Sequence, residues 1–314
     1  MALSRRAGAR YGQGMRRPWA WSLVALSALL ALLPVNRAAA EPLRVVTFNL
    51  FHGGPVASAT GDGDRLEDRL AIVVAELRRL QPDIIALQEA SAGSRRGDVA
   101  LRLARQLGYH AAHASTTERI FRYALLSRLA VALIDFSEGP GVLSRWPIAS
   151  RDVIPLTRCG RPLDSRLVLS VILDAPTGLV QIHSTHTSGD ACQLSHIERV
   201  ARERRTVLPS ILMGDFNASE DLPALASLKR AFTDAFRAVN PDAPGFTDLQ
   251  QTGAAAPTVS QRYDYIFVVP GALGPGAVVS SRLVLNTPRR YADGSVLWPS
   301  DHYGVLAELE LTTR

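Results

Sequence analysis

Several short apolar runs in this 314-residue chain stop or start at side chains that can hold a cation or move a proton. Asn49 closes Val45-Val46-Thr47-Phe48, Glu89 closes the run 84–88, His186 closes 180–185, and Asp215 with Asn217 closes Ile211-Leu212-Met213-Gly214. Asp264 opens Tyr265-Ile266-Phe267-Val268, and Ser300-Asp301-His302 stands before the last apolar run. A single such residue is an ordinary turn or cap. Together they describe a rim on which a rigid core positions polar groups. Carboxylates, amides and histidines without a thiolate favour a hard cation such as Mg²⁺ on oxygen ligands, with an anionic substrate beside it.

The elements that carry these residues alternate between short strands and a few helices. Residues 43–49 read as a strand, followed by a glycine-rich loop at 53–63 and a helix over about 64–80, with Leu66, Leu70, Val73, Leu77 and Leu80 as its buried stripe. Pro82 and Asp83 end that helix ahead of a buried strand at 84–88, and Leu101, Leu103, Ala104 and Leu107 predict a second helix closed by Gly108. Further strands are expected at 149–154, 166–174, 178–185, 210–214, 265–269, 278–285 and 303–311, with a helix over about 194–207. The pair 166–174 and 178–185, joined by Ala-Pro-Thr, reads as a hairpin, so much of the sheet is expected to be antiparallel. No repeat or linker interrupts 41–314, which predicts one domain of α/β or α+β type packed in layers.

The motifs resemble, in order, those of the endonuclease/exonuclease/phosphatase superfamily, which includes DNase I, exonuclease III-like nucleases, inositol polyphosphate 5-phosphatases and neutral sphingomyelinases. They are Thr47-Phe48-Asn49-Leu50, Leu87-Gln88-Glu89, the stretch 141–148 (GVLSRWPI), Ser184-Thr185-His186, Met213-Gly214-Asp215-Phe216-Asn217, Arg262-Tyr263-Asp264-Tyr265-Ile266 and Ser300-Asp301-His302. The resemblance implies a four-layer α/β/β/α sandwich, DNase I-like, with the site where strand ends converge. It implies Glu89 as the principal Mg²⁺ ligand, with Asn49 and Asp301 close by and Mn²⁺ able to substitute. His302, oriented by Asp264, and Asp215 share the activation of water; Asn217 orients the water or a phosphate oxygen; His186 donates to a non-bridging oxygen. The implied reaction is hydrolysis of a phosphodiester or phosphomonoester by direct water attack. The competing reading is a DNase I-like binding module that has lost catalysis, against which Glu89, Asp264 and His302 are all present. His52, His110, His113, His183 and His196 match no motif, and Leu125-Leu126-Ser127-Arg128 resembles the 143–145 motif without its Trp-Pro-Ile continuation.

Composition narrows the class. With 47% hydrophobic and 20% charged residues, the chain is neither disordered, collagen-like nor a polytopic membrane protein. Its net charge of +6 lies entirely in residues 1–40, which hold six arginines and no acid, so that 29 basic and 29 acidic residues balance in the remainder. Residues 15–40 read as an export signal: Arg16-Arg17, an apolar stretch of 14 residues over 20–33, Pro34 and the small-residue site Ala38-Ala39-Ala40. That stretch is shorter than the roughly 20 residues of a membrane span, which favours cleavage over an anchor and a periplasmic or secreted destination. Such a compartment permits a Cys159–Cys192 disulfide, and two separate thiols are the alternative. A neutral remainder provides no global field for duplex DNA. No long apolar hairpin of a membrane-inserting kind is evident, so nucleic acid and lipid headgroup esters stand level as substrates, with no stable protein partner indicated.

Overall fold

Alternation along β1 (Leu43–Asn49) sets the architecture: Val45 faces one apolar cluster and Val46 and Phe48 face another. The computed structural model describes residues 41–51, 65–249 and 252–311. The expected export signal, the glycine-rich loop with His52, and Asp64 at the expected helix start lie outside the described residues. After β1 come α1 (Leu66–Leu80), β2 (Ile84–Gly93), β3 (Gly97–Asp98), α2 (Val99–Leu107), β4 (His110–His113), a 3₁₀ turn at Thr117–Arg119, α3 (Ala124–Ile134) and β5 (Ser137–Ser144). The chain continues through β6 (Ile148–Pro155), β7 (Leu167–Ala175), β8 (Gly178–His186), α4 (Ala191–Glu203), β9 (Ser210–Asp215), α5 (Pro223–Ala231), β10 (Thr233–Asp234) and α6 (Ala235–Val239). It ends with β11 (Asp264–Val269), β12 (Ala277–Val284), β13 (Arg289–Arg290), β14 (Val296–Leu297) and β15 (Gly304–Glu310).

Two sheets result, in the orders β12-β15-β1-β2-β5-β4 and β10-β11-β9-β8-β7-β6, with β3 on β2 and β13·β14 as a separate ribbon. Most pairs are antiparallel; β1·β2 and β8·β9 are parallel. Val45, Ile84, Val142 and Val305 from the first sheet meet Leu169, Ile182, Met213 and Ile266 from the second in one core. The outer face of the first sheet packs on α1 and α2, and that of the second on α4 and α5. This is the four-layer α/β/β/α sandwich. Each fully buried Leu, Ile or Val in it contributes about 1.5–3 kcal/mol relative to exposure.

Several boundaries depart from the sequence expectations. The second helix begins at Val99 because Asp98 caps it, its side chain accepting from Leu101 N at 3.0 Å. Its buried stripe is Val99, Ala100, Leu103 and Ala104, leaving Leu101 exposed. The helix expected at 194–207 is α4, one register earlier: Gln193, Leu194, Ile197, Val200 and Ala201 bury its stripe, and it ends at Glu203. Strand β2 runs past residue 88 through a bulge between Leu87 and Ala90. The Leu125-Leu126-Ser127-Arg128 segment lies in α3, a helix the periodicity did not announce.

Candidate active site

Strand register brings the polar ends together. In β8·β9, His186 lies opposite Asp215, and in β9·β11, Asp215 lies opposite Asp264. These side chains stand in one row at the inter-strand spacing of about 4.8 Å, on the face that Ile182, Met213 and Ile266 turn to the inter-sheet core. On the other sheet Asn49 shares the inward face of β1 with Val45 and Thr47. Glu89 sits at the β2 bulge with φ +53°, a conformation costing a non-glycine residue about 1–3 kcal/mol. The bulge re-aims its carboxylate, and Asn49 Nδ2 donates to Glu89 Oε1 at 3.2 Å.

A continuous polar line crosses from one sheet to the other. Asn49 Nδ2 also donates to Asp215 Oδ2 at 3.0 Å, and that oxygen lies 3.6 Å from His186 Nε2 and 3.7 Å from His302 Nε2. The other imidazole nitrogen of His302, Nδ1, is 2.8 Å from Asp264 Oδ2. Asn217 N donates to Asp215 Oδ1 at 2.8 Å. The Asn217 side chain donates from Nδ2 to Thr187 O and meets His186 Nε2, each at 2.9 Å, so His186 Nε2 is the acceptor of that pair. Asp301 Oδ1 accepts from Ser300 Oγ at 3.2 Å, and the same Oγ accepts from His302 N at 3.1 Å. All eight residues singled out in the sequence therefore converge. Asn49, Asp215, Asp264, His186 and His302 form the buried floor, while Glu89 and Asp301 are half-buried and Asn217 is exposed at the mouth.

Burial and crowding shift the ionisations. Burial pushes the Asp215 carboxyl up to about 7; His302 opposes, Asp264 adds, and the hydrogen bonds from Asn217 N and Asn49 restrain it. Burial likewise raises Asp301 to about 6, with His302 opposing and Glu89 adding. For His302 burial acts downward, but the Asp264 and Asp215 carboxylates outweigh it and hold the imidazole well above its ordinary value. Asp248, bridged to His302 through the backbone, is also raised, first by burial.

Two groupings could hold a cation. Asp215, Asp264 and His302 offer atoms within 4.8 Å of one another, where a proton on the raised His302 imidazole and a cation compete for the same nitrogen. Glu89 and Asp301 supply the carboxylate oxygens a hard cation prefers, while Asn49, whose Oδ1 accepts from Phe51 N at 2.9 Å, holds Glu89 through Nδ2. Neither Asp215 nor Asp301 forms an ion pair with Lys or Arg among the described residues. Burial raises both first, with Asp264 adding at Asp215 and Glu89 adding at Asp301; a divalent cation beside these carboxylates would offset the cost of their charge, and the residues fit the metal.

Supporting residues escaped the sequence reading. Arg69, 1% exposed, donates to Leu50 O at 2.7 Å, Phe51 O at 2.8 Å and Pro299 O at 3.2 Å, tying the segment after Asn49 to that before Asp301. Its signal was a charge falling on the apolar stripe of α1. Thr247 Oγ1 accepts from Tyr263 N at 3.1 Å and Asp264 N at 3.3 Å, fixing the start of β11. Gly189 has φ +73°, and a Cβ there would collide with the Asn217 carbonyl. The Cys159–Cys192 disulfide, left open by the sequence, is formed, with Cα atoms 5.9 Å apart.

The histidines outside the motifs stand apart. His183 lies in register with Leu212 on the outer face of the second sheet, opposite in direction to His186. It is fully buried with neither ring nitrogen hydrogen-bonded, and burial, reinforced by Arg204, lowers it to about 4. His113 pairs with Asp98 at 3.0 Å and His196 with Thr157. Arg166 bonds Asp164 and Ser188, and Arg158 donates to loop carbonyls.

A family model, described as the endonuclease/exonuclease/phosphatase family, matches residues 46–302. The chain belongs to this family. Its members are typically metal-dependent hydrolases of phosphoester bonds. Among solved structures, an endonuclease/exonuclease/phosphatase from Beutenbergia cavernae is 27% identical, with TM-score 0.62 and coverage of 87% of this chain and 72% of that one. A family protein from Bacteroides thetaiotaomicron is 18% identical, with TM-score 0.64 and coverage of 86% and 98%. TDP2 from Caenorhabditis elegans is 17% identical, with TM-score 0.60 and coverage of 93% and 81%. The last two share the fold. No curated protein sequence matches the chain.

Proposed function

We propose that this chain is an exported, Mg²⁺-dependent phosphoesterase that cleaves a nucleic-acid or lipid headgroup ester by direct attack of water. The observation that carries the reading is the unbroken line Asn49–Asp215–His302–Asp264 across both sheets, with Glu89 and Asp301 beside it. Glu89 and Asp301, with Asn49 positioning Glu89, would hold the Mg²⁺, which would supply charge neutralisation at the phosphate. The chain's own groups do the rest. Asp264 accepts from Nδ1 of the protonated His302 ring and fixes its orientation, so that Nε2 presents a proton to an anionic oxygen. Asp215, raised to about 7, accepts the proton of the attacking water near neutral pH. Asn217 fixes the Asp215 carboxylate through its backbone N–H, and its side-chain amide orients the His186 ring beside it; with Nε2 accepting there, the donation to a non-bridging oxygen expected of His186 is not proposed. The retention of every member of this line argues against an inactive binding module.

Residues 1–40 are assigned to export and 41–314 to the catalytic domain. The disulfide supports an oxidising destination, because cytosolic thiols are kept reduced. The test is Mg²⁺-dependent nicking of supercoiled plasmid together with release of phosphate or headgroup from a lipid and small-ester panel. A His302→Ala variant and a chelator serve as controls. Cleavage in either arm, lost in both controls, is the expected result. Absence of cleavage in every arm, or cleavage that survives the chelator, refutes the proposal.

A further inference from the structure

Helix α3 is built inside out. Its one buried residue is Ser127, whose Oγ accepts from Phe121 N at 2.9 Å. Leu125, Leu129 and Leu133, spaced to share one face, are 69%, 52% and 86% exposed. Leu126, Tyr123 and, from the 158–166 loop, Leu163 extend the apolar surface. Between the 3₁₀ turn and that loop lies a groove of about 710 Å³. Ordinary surfaces scatter single apolar side chains, whereas a contiguous patch of this kind marks an interaction site.

The charge around the patch identifies the occupant. Segments 118–134 and 158–166 hold six arginines against Glu118 and Asp164, in a chain whose residues beyond 40 balance as a whole. Arg119, Arg122 and Arg128 form no ion pair among the described residues, and Asp164 is taken by Arg166. Leucines on one side and arginines around them are the chemistry of a helix lying in the interface of an anionic bilayer. At 11 residues α3 is far too short to span one.

The patch also stands on the catalytic rim. Strand β2 passes Glu89 to reach Ser94, which hydrogen-bonds Asp135 at the end of α3. Arg166, in the 158–166 loop, bonds Ser188, two residues beyond His186. From this juxtaposition we propose that α3 and the 158–166 loop dock the protein on an anionic lipid surface with the site facing the headgroups. Docking goes beyond the catalytic assignment and does not depend on it.

With both native cysteines paired, a cysteine introduced at an exposed position of the full chain can be labelled alone with an environment-sensitive fluorophore. Leu129→Cys tests the patch. Val207→Cys, exposed at the opposite end of β9 from Asp215, is the control. On vesicles of phosphatidylglycerol and phosphatidylcholine in equal parts, the label at 129 is expected to shift to the blue and brighten while that at 207 stays unchanged. Replacing Arg119, Arg122 and Arg128 by Gln should weaken vesicle binding about a hundredfold at low salt. Equal responses at both positions, no response at 129, or equal response to pure phosphatidylcholine overturns the proposal. A blue shift at 129 that grows with protein concentration without vesicles also overturns it, in favour of a second copy on the patch. Hydrolysis of a soluble chromogenic diester, followed on the same labelled proteins, reads the catalytic assignment separately.

Discussion

Replacing Asp264 by Asn should both silence the site and reverse the sign of its contribution to pH-dependent stability. The carboxylate lies 2.8 Å from His302 Nδ1, and both residues are buried. At an effective dielectric of about 20 that separation corresponds to roughly 6 kcal/mol of attraction before desolvation is subtracted. In the native protein His302 is raised above its unfolded value despite burial. The pair's stabilisation is therefore fully present below about pH 6.5 and is lost as pH rises through the raised value. With Asn at 264 the amide keeps the shape, but the largest upward influence is gone, and burial dominates. His302 then falls below its unfolded value, so its contribution is present above about pH 6.5 and lost as pH falls. Activity should drop by about 10²–10⁴ as tautomer control and charge are lost together. Urea unfolding of both proteins from pH 5 to 9, with pH–rate profiles on a chromogenic diester, checks this. A folded Asp264→Asn protein with activity within about threefold of native and an unchanged stability slope would refute the reasoning.

Other perturbations have equally definite outcomes. His183, lowered to about 4 from 6.5, contributes stability that is present above its unfolded value and lost as pH falls through about 4. The loss approaches about 3 kcal/mol, and His183→Leu should remove most of it, as acid titration of the unfolding midpoint will show. Arg69→Lys keeps the charge but not the fork that reaches three carbonyls. It should lower kcat by about tenfold or more with little change in KM, measured against Tm to separate positioning from unfolding. Breaking the Cys159–Cys192 link, which spans 33 residues, should cost up to about 4 kcal/mol, read as the stability difference between native protein and a Cys159→Ser/Cys192→Ser variant.

What the sequence disclosed depended on how local the signal was. Asn49, Asp215 and Asp264 were legible because each ends an apolar alternation, and the parity of a strand dictates the face on which the next residue falls. Register could not be read the same way. That His186, Asp215 and Asp264 share one row follows from two pairings, between residues 29 and 49 positions apart. Glu89 was found by type, but its re-aiming depends on a bulge set by β5. Arg69 was hidden because a guanidinium on an apolar stripe reads as an interruption until three orphan carbonyls are seen around it. Helix α3 defeated periodicity because its leucine face is turned outward and its serine faces inward, the reverse of the pattern that burial imposes. The disulfide needed the third dimension, since sequence separation says nothing of Cα distance.

Asn49 and Asp215 meet from opposite sheets, and Asp264 of β11 meets His302, two residues ahead of β15 in the other sheet. Neither sheet alone carries a whole reactive pair. The site is therefore whole only when the two sheets have packed upon each other. In refolding, hydrolysis should return later than strand content, because the seam between the sheets is the slowest part to acquire its native neighbours. Completion of the site is thereby tied to completion of the core between the sheets.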